Sequence, residues 1–211
     1  MDSGASGLIE AFKAEFGGEY PDWDRIAMHM YTYGSGGICR CATLCGIPNG
    51  CCAPLCLLGA ICGKLGGEII GHYSSTEFPP RSIRNLYEDP YYGAGGTGGY
   101  EWPWEPIPND EVLAYTTSNS PLCHVSISKW CYAAGVDLND KSPSGLVYKN
   151  DRCGKICAEM AGYTAELINY YALTGDVEDS YQVSPATADC MYCHTKADNP
   201  RGPAQCGNME C

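Results

Sequence analysis

Positive charge is scarce in this chain of 211 residues: thirteen lysines and arginines stand against twenty-five aspartates and glutamates, for a net charge of −12. No cluster of Lys and Arg occurs, which argues against a nucleic-acid footprint and against attraction to an anionic membrane surface. Basic proteins are the expected partners. Long apolar runs are also missing. The longest, "CCAPLCLLGAICG" at 51–63, is too short to cross a bilayer and fits a buried helix instead. The amino end, "MDSGASGLIEAF", has an acidic start and no apolar core, so it lacks the form of a signal peptide. An exported protein would have had that signal removed. The signatures G-x-S-x-G, H-E-x-x-H and a phosphate-binding glycine loop are absent as well. "GAGGTGG" at 93–99 has no strand before it and no helix after it, and reads as a loop.

Cysteine is what the chain has in excess. Fifteen in 211 residues is far above ordinary usage, and a chain this long can bury a core without covalent staples. The density therefore points to cofactors or disulfides, and to an export compartment. In "DCMYCHTK" at 189–196, Cys190, Cys193 and His194 form C-x-x-C-H. Composition alone predicts roughly 0.02 accidental matches to that motif but about one C-x-x-C, so the histidine carries the signal. Two thiols at this spacing add to the vinyl groups of one haem, and the adjacent imidazole becomes a ligand of its iron. A disulfide or half of a zinc site is the alternative. Thirteen cysteines remain, an odd number, so at least one is free, metal-bound or intermolecular.

Hydrophobic periodicity predicts a mainly α fold: a helical body with long irregular loops and an extended carboxy-terminal tail. Leu8, Phe12 and Phe16 recur at steps of four before Gly17, and Trp23, Ile26 and Met30 line a second helix from Pro21 to Gly34. The clearest helix runs from 151 to 173, with Cys153, Cys157, Met160, Thr164, Leu167 and Tyr171 on one stripe and Gly175 as its stop. A shorter helix covers 125–134 and ends at Gly135. Between about 74 and 122, Pro, Gly and aromatics mix without helical or strand period, which predicts mostly loop. Its Tyr and Trp suit either a contact surface or a lid folded on its own core. The expected division is a cysteine-rich body, 1–180, and a haem-binding tail, 181–211.

Seven cysteines crowd into 36–62, at 39, 41, 45, 51, 52, 56 and 62. They lie beside glycines and prolines that permit close backbone approach, as thiolates around iron and sulfide require. Local disulfides explain this less well, because adjacent Cys51 and Cys52 do not both bridge easily to near neighbours. Zinc spacings are usually regular, and this run is not.

The segments "GICRCATLCGIPNG", "PLCHVSISKWCYAAG", "DRCGKICAEMAGYTAELIN", "CMYCH" and "NMEC" follow one another in the chain. In that order they resemble the split-Soret cytochrome c family, a relative of the wider redox family named for its C-x-G-C-A-x-x-G pattern. The likeness runs from about residue 30 to the end and is weakest across 74–122. It implies an exported, dimeric electron carrier with covalent haem in its tail and an iron–sulfur site in its body. The cysteines that match the family are Cys45, Cys123, Cys131 and Cys153, and four thiolates are the usual complement of one [2Fe–2S] or [4Fe–4S] cluster. Independently, Cys153 lies on the apolar stripe of the long helix; buried free thiols are the bland alternative.

Two departures from the family pattern stand out. "CGNMEC" reaches Cys211 without completing a second C-x-x-C-H, so one attached haem per chain is expected, leaving Cys206 and Cys211 spare. Cys39, Cys41, Cys51, Cys52, Cys56, Cys62 and Cys157 have no counterparts in the pattern, and a second cluster among those between Cys39 and Cys62 is one use for them.

For the second axial ligand of the haem, His124 is favoured because it follows Cys123 directly; His72 is the runner-up and His29 the third choice. The neighbouring chain is another source of that ligand, which would tie haem binding to dimerisation. Electron transfer is the leading expectation. A haem or iron–sulfur oxidoreductase acting on a small substrate, or a structural subunit of an extracellular cytochrome assembly, are the alternatives. Haem staining after denaturing electrophoresis is expected to mark the matured protein, and a Cys190→Ala, Cys193→Ala double variant is expected to lose the stain. A colourless band from matured protein would sink the assignment.

Overall fold

A computed structural model describes residues 2–16, 25–58, 62–80, 107 and 111–177, all within one compact unit, Met1–Glu178. The expected haem tail, with Cys190, Cys193 and His194, lies outside the described residues. The fold is mainly α, as expected. In chain order it contains α1 (Asp2–Phe16), 3-10 turns at Met28–Gly34 and Ile38–Arg40, α2 (Gly46–Leu57), α3 (Cys62–Ser75), β1 (Glu77–Phe78), β2 (Thr116–Thr117), α4 (Cys123–Ala134) and α5 (Pro143–Thr174). The strands form an antiparallel ribbon with Glu77 opposite Thr117 and Phe78 opposite Thr116.

Helices α1, α2, α3 and α5 pack on one another around a core that includes Ile47, Cys51, Leu55, Leu65, Ile69, Tyr73, Phe78, Ile156, Met160 and Leu167. Leu65, Ile69 and Tyr73 recur every four residues, so α3 presents one continuous apolar ridge. The expected helix from Pro21 to Gly34 is instead a 3-10 turn over its last seven residues, and 17–24 lie outside the described residues. The tighter winding turns Tyr31 into a small cluster with Ala5 and Ile9 and leaves Met30 exposed, so the anticipated Ile26–Met30 face does not form. Most of the anticipated loop at 74–122 is undescribed, and its two described ends pair as β1 and β2.

The long helix begins at Pro143 rather than at 151. Ser142 caps it, its hydroxyl accepting from the Gly145 amide at 3.2 Å, and Pro143 sits where a missing N–H costs nothing. Gly175 ends it in the left-handed conformation at φ 72°, as Gly135 ends α4 at φ 66°. Met160, Thr164 and Leu167 are buried along the expected stripe; Cys153 is exposed as a residue, but its thiol is turned toward Arg152 and surrounded by protein. Upstream of Met160 the buried positions are Asp151, Arg152, Lys155 and Ile156.

Charged residues occupy that stretch because they satisfy one another and the main chain. Lys155 and Asp151 form an ion pair of 2.8 Å, one helical turn apart and almost wholly buried. Asp151 also accepts the Ile107 amide at 2.9 Å, and the Lys155 ammonium donates to the Ile107 carbonyl. The pair clasps both polar groups of one peptide segment. Removing one partner leaves a buried charge uncompensated, so Lys155→Met is expected to cost about 3–5 kcal/mol. Adding Asp151→Asn to it should restore most of that loss, with denaturant midpoints as the measure. Equal stability of the single variant and the unaltered protein would show that the clasp contributes nothing.

Candidate metal centre

Two distant segments meet at an isolated antiparallel bridge between Leu44 and Leu122. The Cys45 amide donates to Pro121 O at 2.9 Å, and the Cys123 amide to Thr43 O at 2.8 Å. Each bridge residue is followed at once by a helix start: Cys45 is the N-cap of α2 and Cys123 the first residue of α4. The bridge therefore sets two helix amino termini side by side with a thiol at each. Unpaired first-turn amides and the helix dipole favour a thiolate there.

The approach to Cys45 is tightly wound. Gly36, Gly37, Cys39, Arg40 and Ala42 all have positive φ. The turn closes on itself through Ala42 N to Gly36 O at 3.1 Å and Ile38 N to Thr43 Oγ1 at 3.0 Å. A Cβ on Gly37 would lie 2.6 Å from the Thr43 amide nitrogen, so only glycine fits. Left-handed backbone at non-glycine residues costs roughly 1–2 kcal/mol each, and here it delivers Thr43–Cys45 to the bridge.

The thiols of this region act on one another. The Cys45 thiol is pulled down to about 6, first by a hydrogen bond from Cys123, then by the Tyr73 hydroxyl and the Ile47 amide, against the opposing effect of burial. Cys123 is driven up for the complementary reason, its hydrogen bond to Cys45, and further by burial and by the charges of Cys45 and Cys153. One thiolate is thus shared by the pair, and it resides on Cys45. Burial raises Cys131, with Lys149 and Arg152 opposing. Cys153 is raised as well, by the protein around its thiol; Arg152 lowers it, and Cys45 and Cys131 raise it.

The four expected ligands are therefore electrostatic neighbours drawn from the starts of α2 and α4, the far end of α4, and α5. They are not a finished coordination sphere: among the described residues, no three of His, Cys, Asp and Glu gather closely enough to hold one ion. The donor set suits iron in kind, because soft thiolates at helix starts, one of them ionised near neutral pH, are what an iron–sulfur centre takes.

The surplus cysteines divide among separate surroundings. Cys39 and Cys41 are exposed in the wound turn. Cys51 is fully buried and pushed far up by desolvation and then by Cys157, with Thr164 hydrogen-bonding to it. Burial raises Cys52 to about 11. Cys56 is disulfide-bonded, which withdraws one candidate ligand of a second cluster, while Cys39, Cys41, Cys45, Cys51 and Cys52 of the same run are free. The Cys62 side chain is outside the described residues.

His124 is exposed beside Cys123, with Nδ1 2.8 Å from Ala42 O. A carbonyl only accepts, so Nδ1 carries the proton and the Nε2 lone pair is left for another partner, the usual arrangement of a metal-binding imidazole. His72 is placed differently. Its ring stacks on Tyr163 at 3.8 Å, with Nδ1 3.3 Å from Thr76 Oγ1 and Nε2 3.7 Å from Glu159 Oε1. Both nitrogens face protein groups. His29 lies in the first 3-10 turn, and its side chain is not described.

Sequence patterns missed Tyr73, which hydrogen-bonds to Cys45, and Arg152, whose charge acts on Cys123, Cys131 and Cys153. Arg152 adjoins Cys153 in "DRCGKIC", which was a usable signal; Tyr73 reaches Cys45 only through the packing of α3.

No protein-family model matches the chain. It is 27% identical over 192 residues to the split-Soret cytochrome c of Desulfovibrio desulfuricans, across 90% of this chain and 60% of that protein. The chain thus spans three fifths of that relative's length. A solved structure described as a novel iron centre in the split-Soret cytochrome c from Desulfovibrio desulfuricans ATCC 27774 aligns with a TM-score of 0.65 and 24% identity. It covers 94% of this chain and 73% of that one. Fold and site define a helical, cysteine-rich body. In sequence the chain is similar to split-Soret cytochrome c, and the solved structure shares its fold.

In metal-free protein, the thiolate absorbance lost in Cys45→Ala is expected to titrate near pH 6, with the thiolate present above that pH and protonated below it. Tyr73→Phe should move the midpoint upward. A midpoint above about 8, the ordinary thiol range, would make Cys45 an unperturbed residue.

Proposed function

We propose that the chain is an electron-transfer protein carrying covalent haem on Cys190 and Cys193, with His194 as proximal ligand, and an iron–sulfur cluster on Cys45, Cys123, Cys131 and Cys153. The observation that carries this reading is the pairing of Cys45 and Cys123 at two bridged helix starts, with Cys45 ionised near neutral pH. Haem and cluster, when bound, exchange single electrons at potentials tuned by ligands, burial and hydrogen bonds. Either cluster nuclearity takes the same four thiolates.

The chain's own residues supply the rest. Helix-start amides and the Tyr73 hydroxyl hold negative charge on Cys45. Tyr73, 1% exposed, covers the buried Cys45 thiol that it hydrogen-bonds. His124 is the proposed distal haem ligand, since its Nδ1 proton is tied to Ala42 O and it adjoins Cys123, which brings haem and thiols close in the chain. The charge of −12 suits basic redox partners. The disulfide at Cys56 suits a periplasmic or extracellular setting, and a homo-oligomer, dimeric or larger, completes the proposal. Among the described residues no helix is long and apolar enough to cross a membrane.

Protein purified without air is expected to contain iron in excess of haem together with acid-labile sulfide, and Cys131→Ser should lose most of that excess. Total iron equal to haem would falsify the cluster. In the same preparation, His124→Ala should turn the haem high-spin and open it to carbon monoxide; an unchanged low-spin spectrum removes His124 from the site.

A further inference from the structure

Cys39 and Cys41 are free, exposed and two positions apart in the wound turn before Cys45. The turn that presents them has a defined shape. Cys41 N donates to Ile38 O at 2.9 Å, and the two residues enclosed are Cys39, at φ 53° and ψ 32°, and Arg40, at φ 63°. Two left-handed residues inside a four-residue turn make it type I′, whose central positions ordinarily go to Asn, Asp and Gly. The chain uses glycine at 36 and 37, yet it places Cys and Arg at these two. Glycine at 39 would relieve the backbone, so a thiol is kept there against conformational preference. Strain that the surrounding structure holds in place concentrates at functional sites.

The geometry suits a bond between the two sulfurs. A residue near φ +60° leaves the Cα atoms on either side of it about 5–6 Å apart, within the range of about 4.4–6.8 Å that a disulfide spans. Cys41 Sγ already leans back over the first residue, 3.7 Å from Cys39 O. Rotation of the exposed Cys39 side chain about χ1 is what brings the sulfurs together. The main chain around them is held meanwhile: Arg40 N donates to Ser35 O at 3.0 Å and to Gly37 O at 3.2 Å, and Ile38 N to Thr43 Oγ1 at 3.0 Å. Among the described residues no third His, Cys, Asp or Glu joins the pair to form a metal site. Their chemistry is that of a dithiol.

We propose that Cys39 and Cys41 form a thiol–disulfide exchange site, a surface C-x-C dithiol that reduces low-molecular-weight disulfides and becomes a local Cys39–Cys41 bridge. The thiolate of Cys39 attacks one sulfur of the substrate disulfide, which gives a mixed disulfide and releases one thiol. Cys41, whose thiol donates to the Cys39 carbonyl, then attacks the Cys39 sulfur, and the second thiol leaves. Two electrons pass from the cysteines to the substrate. One S–S bond forms as one breaks, and the two thiol protons end on the released thiols. Exposed bridges belong to the labile, exchange-competent kind, so a dithiol reductant restores the pair. Neither haem nor the iron-centre reading enters this chemistry.

The test treats full-length protein, purified without air, with oxidised glutathione, then alkylates the remaining thiols and digests with trypsin. Arg40 lies between the two cysteines, and Cys39 is alone in the tryptic fragment 26–40. In the unaltered protein both thiols should escape alkylation together, and fragment 26–40 should stay joined to the fragment that begins at Cys41 until a reductant separates them. Cys41→Ser is expected to stop at the first step, with glutathione retained on Cys39. Full alkylation of both residues after the treatment overturns the inference, as does glutathione held stably on both without a bridge. Fragment 26–40 still joined in Cys41→Ser overturns it as well, because Cys39 then pairs with another cysteine.

Discussion

The pairing of Leu44 with Leu122 is the contact on which the arrangement of thiols depends. Two residues seventy-eight positions apart in the chain face each other, their flanking residues exchange main-chain hydrogen bonds, and each hands over directly to a helix. Without that register, Cys45 and Cys123 would be helix-start thiols in unrelated places. With it, they share a proton, and the lowering of one is the raising of the other. The left-handed turn before Cys45, with a glycine where no Cβ fits, is the local cost of bringing the first segment to the meeting point.

Charge in this body is placed by depth. The net charge is acidic, yet on the inward face of α5 the chain inserts Asp151, Arg152 and Lys155. Asp151 and Lys155 neutralise each other and fasten the main chain at Ile107. Arg152, one residue on, is left facing Ser126, Trp130 and the Cys153 sulfur. The three consecutive functions of one short stretch follow from helical geometry: residues 151 and 155 share a face, and 152 is rotated about 100° from 151.

Helix ends marked by glycine were legible in the sequence, since Gly135 and Gly175 each adopt the left-handed conformation that only a residue without Cβ takes easily. The start of α5 was equally open to reading, as Ser142 followed by Pro143 is a capping signal, but apolar periodicity fades there and hid it. Cys153 was counted into the stripe as an apolar residue, yet as a residue it is exposed and only its thiol is enclosed by protein. The buried charges upstream shift that face, and periodicity cannot see a charge that finds a partner forty-four residues away in Ile107. Among the four body cysteines, family resemblance named the set; the convergence of Cys45 and Cys123 is a tertiary fact that no local pattern contains. Tyr73 lies beyond sequence reasoning for the same reason.

The sorting of thiols by ionisation bears on how so cysteine-rich a chain avoids scrambling. Disulfide exchange proceeds by attack of a thiolate, and its rate falls with the ionised fraction of the attacking sulfur. Burial keeps Cys51, Cys52 and Cys131 protonated, and the bond to Cys45 does the same for Cys123. Cys45 is the exception, and it is shielded from other chains by the fold. A body that meets oxidant before receiving metal therefore exposes few competent nucleophiles in its core, so the order of maturation events matters less than the number of its cysteines suggests.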